Sequence, residues 1–258
     1  MAAGIPKEKS VELIEMYGDM LKAGVSIDEM SYWRSLRELE NDNSSASVSA
    51  LGLLHATAGF IDKANQVFTD GVEKFHDASI PANHLFMLRA TRNENLVKDF
   101  AYAYADKYQS KKMTVFAYSY AYRYGDKAAL DRYMSQHIKL LSDEEGRLLA
   151  EKHKEELLTE LDDAYVSSGC TKEQFQLLAE TIAKVAKEYE ANYGHIEVSK
   201  NHNCCYVVDI NNKDPKTIAK MNYSLAEAVC MEPLLDNCKL IGRFSPIREL
   251  HTGVSYVG

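Results

Sequence analysis

The stretch VSALGLLHATAGFIDKANQVFTDGVEKFH, residues 48–76, decides the architecture. Its apolar residues recur at intervals of three and four, the period of a helix, on both sides of Gly59. Two short helices joined by a tight turn are therefore predicted. The small residues are placed for close packing. A small residue at Gly52 lets the first helix approach its partner, Ala64 and Gly71 let the second nestle back, and Phe68 fills the space between. A hairpin of this size cannot bury its apolar faces alone, so stacked copies are expected beside it.

Looser copies follow. Leu96, Phe100 and Ala103 stand thirty-two residues after Ala64, Phe68 and Gly71, behind a helix that Pro81 is expected to start. Gly125 stands sixty-six residues after Gly59, between helices expected at 113–124 and 127–140. The set Leu51-Gly52, Gly59, Ala64, Phe68 and Gly71 resembles the tetratricopeptide repeat, an array of antiparallel helix pairs that binds peptides in a groove. The resemblance covers roughly residues 44–140. Residues 10–40 read as a divergent first pair, one helix over 10–23 and a second opened by Ser26 with Glu29 three residues on. Tyr118 stands where the family has a small residue, so packing in the third copy departs from the pattern.

Beyond the array, Ser142 and Glu145 form a capping-box pattern for a long charged helix ended by Gly169, with Arg147–Glu151 and Lys152–Glu156 as paired charges. Thr171 caps another helix, to about Tyr189, striped by Leu177, Leu178, Ile182 and Val185. The texture changes at Gly194. Residues 195–198 and 204–210 read as strands joined by a turn at 200–203; Asp214-Pro215 opens a helix that Pro233 stops, and 238–244 and 254–257 read as further strands. The fold class is mainly α: a helix-hairpin solenoid over residues 1–193 followed by a small β-β-α-β module over 194–258.

The bulk numbers narrow the function. Thirty basic against 38 acidic residues give a net charge of −8 over 258 residues, which argues against a broad nucleic-acid surface. The acidic excess concentrates between Asp143 and Asp163, with nine acids and three bases. No apolar run approaches the roughly 18 residues that span a membrane, and residues 1–9 lack the apolar core of a secretory signal. A cytoplasmic protein is expected, its five cysteines reduced.

Eight of the sixteen tyrosines lie between Tyr102 and Tyr133. At 100° per residue, Phe116, Tyr120 and Tyr124 share one face of a helix while Tyr118 and Tyr122 take the other, as do Phe100, Tyr104 and Tyr108 against Tyr102. A helix sandwiched in a solenoid needs two such apolar faces. The sharper alternative is that one face lines a groove, where a tyrosine offers rigid area and a hydroxyl.

Carried over residue by residue, the family resemblance places the groove surface at Leu53, Ala56, Leu85, Arg89, Lys112, Ser119 and Tyr122. This surface lacks the Lys, Asn and Arg cluster with which such repeats clamp a C-terminal carboxylate, so a helix or extended peptide is the expected ligand. The partner is a protein or peptide, and the function expected is that of an adaptor or regulator, an immunity- or antitoxin-type neutraliser being one concrete form. Self-association through an uncovered sheet edge, at 239–244 or 254–257, is a further expectation.

No catalytic residues and no cofactor are assigned. His195, His202, Cys204, Cys205, Cys230 and Cys238 crowd together without the C-x₂₋₄-C spacing of a zinc site, and Cys204 and Cys205 would face opposite sides of a strand. The alternative function is an enzyme whose polar site draws on Asp209, a histidine and Arg243 or Arg248 in the C-terminal module. A pocket joining them would favour it.

Overall fold

The structure, a computed structural model, describes residues 7–199 and 203–248. His202, most of the turn expected at 200–203 and the strand expected at 254–257 lie outside the described residues. These fall into two compact units, divided between Met113 and Thr114.

In the first unit α3 (Ser45–Thr57) pairs with α4 (Ile61–Lys74) and α5 (Ser79–Ala90) with α6 (Glu94–Tyr108), while α1 (Lys7–Ala23) and α2 (Glu29–Leu39), joined by the Lys9–Glu38 ion pair, each pack on α3. Helices α1, α3 and α5 pack on one another. Behind them α2 packs on α3, α4 on both α3 and α5, and α6 on α5. The small residues do what sterics requires. A methyl at Gly52 would sit inside the Phe68 ring, and one at Gly71 would come within 2.5 Å of Val48 Cγ1. Gly59 turns the chain with φ +82°, a conformation open to glycine without strain. Ala64 and Phe68 are fully buried.

Helix starts depart from expectation at three places, the first being α5, which begins at Ser79, two residues before Pro81. Helix α2 is capped by Asp28, whose side chain accepts from Ser31 N at 2.9 Å, rather than by Ser26. Ser142 and Glu145 do bond reciprocally, but the turn they close ends at Gly146, φ +87°, and the charged helix starts only at Arg147. Arg147 consequently turns back to Leu141 O and Asp143 instead of pairing forward with Glu151.

The second unit runs from α7 (Lys111–Arg123, from Thr114 onward) through α8 (Lys127–Leu140), α9 (Arg147–Ser168) and α10 (Lys172–Glu188) into the sheet. Thr114 and Tyr118 on α7 meet His137 on α8, at 3.0 Å and at 5.5 Å between rings. Tyr118, Tyr120, Tyr122 and Tyr124 are all buried, so both faces of this helix are used for packing. Lys127–Asp162 and Lys154–Asp131 tie α8 to α9.

The chain then enters β1 (Tyr193–Val198), antiparallel to β2 (Cys205–Ile210); α11 (Pro215–Cys230) crosses over to β3 (Ile241–Pro246), parallel to β2. The order β1-β2-β3 puts the apolar strand β2 in the centre. The molecule is thus mainly α with a C-terminal α+β module. One sheet face, with Tyr206 and Gly242, lies on Phe175, Leu178 and Ile182 of α10. Both sheet edges meet side chains. Asn222 of α11 accepts from Phe244 N at 2.7 Å and donates to Phe244 O at 3.0 Å, mimicking a neighbouring strand along β3. Tyr122 accepts from Val198 N at 3.0 Å on β1 and donates to Glu160 at 2.5 Å. Such plugs discourage strand addition at the bonds they occupy. No helix among the described residues is long and apolar enough to cross a membrane.

Candidate functional site

Helices α1, α3 and α5 enclose a groove in the first unit. Helix α1 gives Ile14, Glu15, Gly18, Asp19 and Lys22; α3 gives Leu53; α5 gives Asn83 and Phe86. The volume is about 400 Å³, within the usual range for small-ligand pockets. Gly18 adds no side chain to this wall, and the Phe86 ring lies 3.7 Å from where its Cβ would stand, an ordinary contact distance. Ile14, Leu53 and Phe86 make an apolar floor, and the rim is charged. Glu15, Asp19 and Lys22 are exposed; Lys22 bonds Asp19 at 3.2 Å and lies 5.7 Å above the Phe86 ring.

Of the residues expected on the groove surface, Leu53 lines this groove. Leu85 and Ala56 are buried in the core of the same unit, Leu85 one residue before the lining Phe86, and Arg89 is half-buried on α5. Lys112 is exposed near the start of α7. Ser119 and Tyr122 belong to the second unit, Ser119 half-buried and Tyr122 buried in its bonds to Glu160 and Val198. Ile14, Gly18 and Phe86 were not among the expected residues, and the one local sign of them is Gly18, a glycine in a helix interior.

The polar residues of the C-terminal module form a different arrangement from the one considered for an enzyme. Arg248 Nε donates to Asp209 Oδ1 at 2.7 Å, and its Nη1 to Glu197 Oε2 at 3.2 Å. Burial acts to lower the Arg248 pKa, but Asp209 and then Glu197 overcome it and hold the guanidinium above its ordinary value. Arg243 is exposed on β3, and His195 is half-buried on β1. Arg248 thus fastens the chain after β3 to β1 and β2. Asp209→Ala is expected to lower the urea unfolding midpoint of the full chain by the equivalent of about 1–2 kcal/mol, since Glu197 and partial solvation still serve the cation. Asp209→Asn, whose amide oxygen can still accept, should recover part of it. An unchanged midpoint in Asp209→Ala would remove this structural role.

Among the described residues, no three His, Cys, Asp or Glu side chains gather where a metal ion could sit. Set against protein-family models, curated proteins and solved structures, the chain finds no match in any of the three.

Proposed function

We propose that this chain is a protein-interaction adaptor or regulator of tetratricopeptide-like build, whose α1–α3–α5 groove takes a peptide segment of a partner protein. The observation that carries the reading is the groove itself, walled by α1 and by the leading helices of the α3–α4 and α5–α6 pairs. That is where a stacked-hairpin array offers a continuous ligand surface. The lining suits an aliphatic or aromatic anchor at Ile14, Leu53 and Phe86, flanked by Lys or Arg near Glu15 and Asp19. The net charge of −8 favours the same sign of partner, speeding encounter with a basic protein. A neutraliser of a basic effector protein is one form such a regulator takes.

Selection of displayed random peptides on the full chain tests this. The winning sequences should combine an apolar anchor with basic residues, and their affinity should fall as salt is raised. Gly18→Leu should fill the groove and weaken the selected peptides by about tenfold or more while leaving the melting temperature near that of the parent, because the Cβ position meets only ordinary contacts. Peptides that bind Gly18→Leu and Phe86→Ala as well as the parent, or winners that are acidic, would overturn the reading.

A further inference from the structure

Cys170 and Cys238 lie far apart in sequence but come together in the second unit. Cys170 follows Gly169, the left-handed residue (φ +62°) that ends α9, and is buried. Its backbone N–H is held by Ser168 Oγ at 3.2 Å. Cys238 closes the 3₁₀ turn Pro233–Leu235, donating its N–H to Leu235 O at 2.9 Å, and is half-buried. The two segments are pinned to each other independently of the thiols: Gln174 Nε2, in the first turn of α10, donates to Leu234 O at 2.8 Å. Within this clasp the Cys238 thiol lies near enough to the Cys170 thiol to add to the upward push that burial gives it.

We propose that Cys170 and Cys238 are a dithiol oxidation site, closing to a disulfide in the presence of a hydroperoxide and so locking the α9–α10 turn to the segment that enters β3. The two thiols have distinct parts. Cys238, the more accessible, is the sulfur the oxidant reaches first. Its thiolate attacks the terminal peroxide oxygen, the O–O bond breaks, and the other oxygen leaves after protonation as water from hydrogen peroxide, or as an alcohol from an organic hydroperoxide, giving a sulfenic acid. Cys170, whose thiol is pushed up by burial and gains little as a free nucleophile, then attacks the sulfenic sulfur. The S–S bond forms as the S–O bond breaks, and the Cys170 proton leaves with the hydroxide as water. Two electrons pass from the sulfur pair to the peroxide. Local order makes the second step fast, because the resolving thiol is already in place.

The test treats the reduced full chain with hydrogen peroxide and reads intact mass and a non-reducing peptide map. The expected product has lost two hydrogen atoms, carries a single Cys170–Cys238 link, and slows amide exchange in 233–238 about tenfold or more. A variant with Cys204, Cys205 and Cys230 replaced by serine should form the same link. In Cys238→Ser, Cys170 should stay reduced under the same treatment. Oxidation confined to Cys204, Cys205 or Cys230, with Cys170 and Cys238 both alkylated after denaturation, would overturn the proposal. So would a link from either residue to another cysteine. The map of the parent protein decides the matter even where a serine variant does not fold.

Discussion

Phe68→Ala is expected to destabilise the first unit by about 3–5 kcal/mol, measured as the shift of its urea or thermal transition. Phe68 has no exposed surface and stacks on the His84 imidazole, with ring centroids 5.0 Å apart and planes 10° from parallel. Its other face occupies the space that Gly52 leaves. Truncation removes the ring from helices α3, α4 and α5 at once, and their backbones cannot all close in. A second substitution makes the expectation specific. Gly52→Ala alone should be destabilising, by about 1–3 kcal/mol, because its methyl collides with the Phe68 ring. In the Phe68→Ala background the same methyl enters a vacancy and gains helix propensity of about 1 kcal/mol, so its effect should reverse sign. Additive behaviour of the pair would show that the two residues do not share that space.

The same pair explains what could be read from the sequence. Gly52, Gly59, Ala64, Phe68 and Gly71 act over one hairpin, so their spacing alone states the contact. The caps at Thr171 and at Asp214-Pro215 are legible for the same reason: their side chains bond within three residues. Legibility fails where one local option competes with another. Ser26 and Asp28 both offer a cap to α2, and Asp28 prevails, with Ile27 N bonded instead to Thr57 O. The Ser142–Glu145 box forms as expected, yet Gly146 adopts a left-handed φ and sets the helix start two residues past Glu145.

Little of the groove was legible. Leu53 came from the repeat register, but Ile14, Gly18 and Phe86 become a site only once α1, α3 and α5 are neighbours, and no spacing within one helix states that. The polar cluster of the C-terminal module shows the same limit. Asp209 was visible as a strand-end acid, with Arg243 and Arg248 as equally good partners by sequence. The parallel pairing of β3 with β2 and the return of the chain after Pro246 select Arg248. Asn222, which plugs the β3 edge, lies in a helix and carried no signal of that role.

Acid should weaken the first unit before it protonates most of the carboxylates, and His84 is the reason. His84 is fully buried among Phe68, Phe100 and Tyr104. Its Nε2 lies 3.0 Å from Asn65 Oδ1 and its Nδ1 2.6 Å from the Tyr104 hydroxyl. With a carbonyl oxygen at Nε2, that nitrogen carries the proton, and Nδ1 accepts from Tyr104. Both bonds suit the neutral ring. Burial pushes its pKa down to about 4, against an ordinary value of 6.5. The folded pKa thus lies below the unfolded one, so the unfolded chain takes up the proton first as pH falls. Stability from this group is complete above about pH 6.5, declines below it, and is lost by about pH 4. The depression corresponds to roughly 3 kcal/mol in total, of which about 2 is gone at pH 5. His55, lowered by burial and by Lys63, adds in the same direction. Urea midpoints between about pH 7.5 and pH 5 should therefore fall in the parent protein and fall much less in His84→Gln, which cannot take up the proton. The imidazole resonances of His84 should also fail to titrate above about pH 5. A parent midpoint flat across that range, or a His84 resonance titrating near 6.5, would show that the ring is hydrated in solution and does not serve as a neutral bridge between α4, α5 and α6.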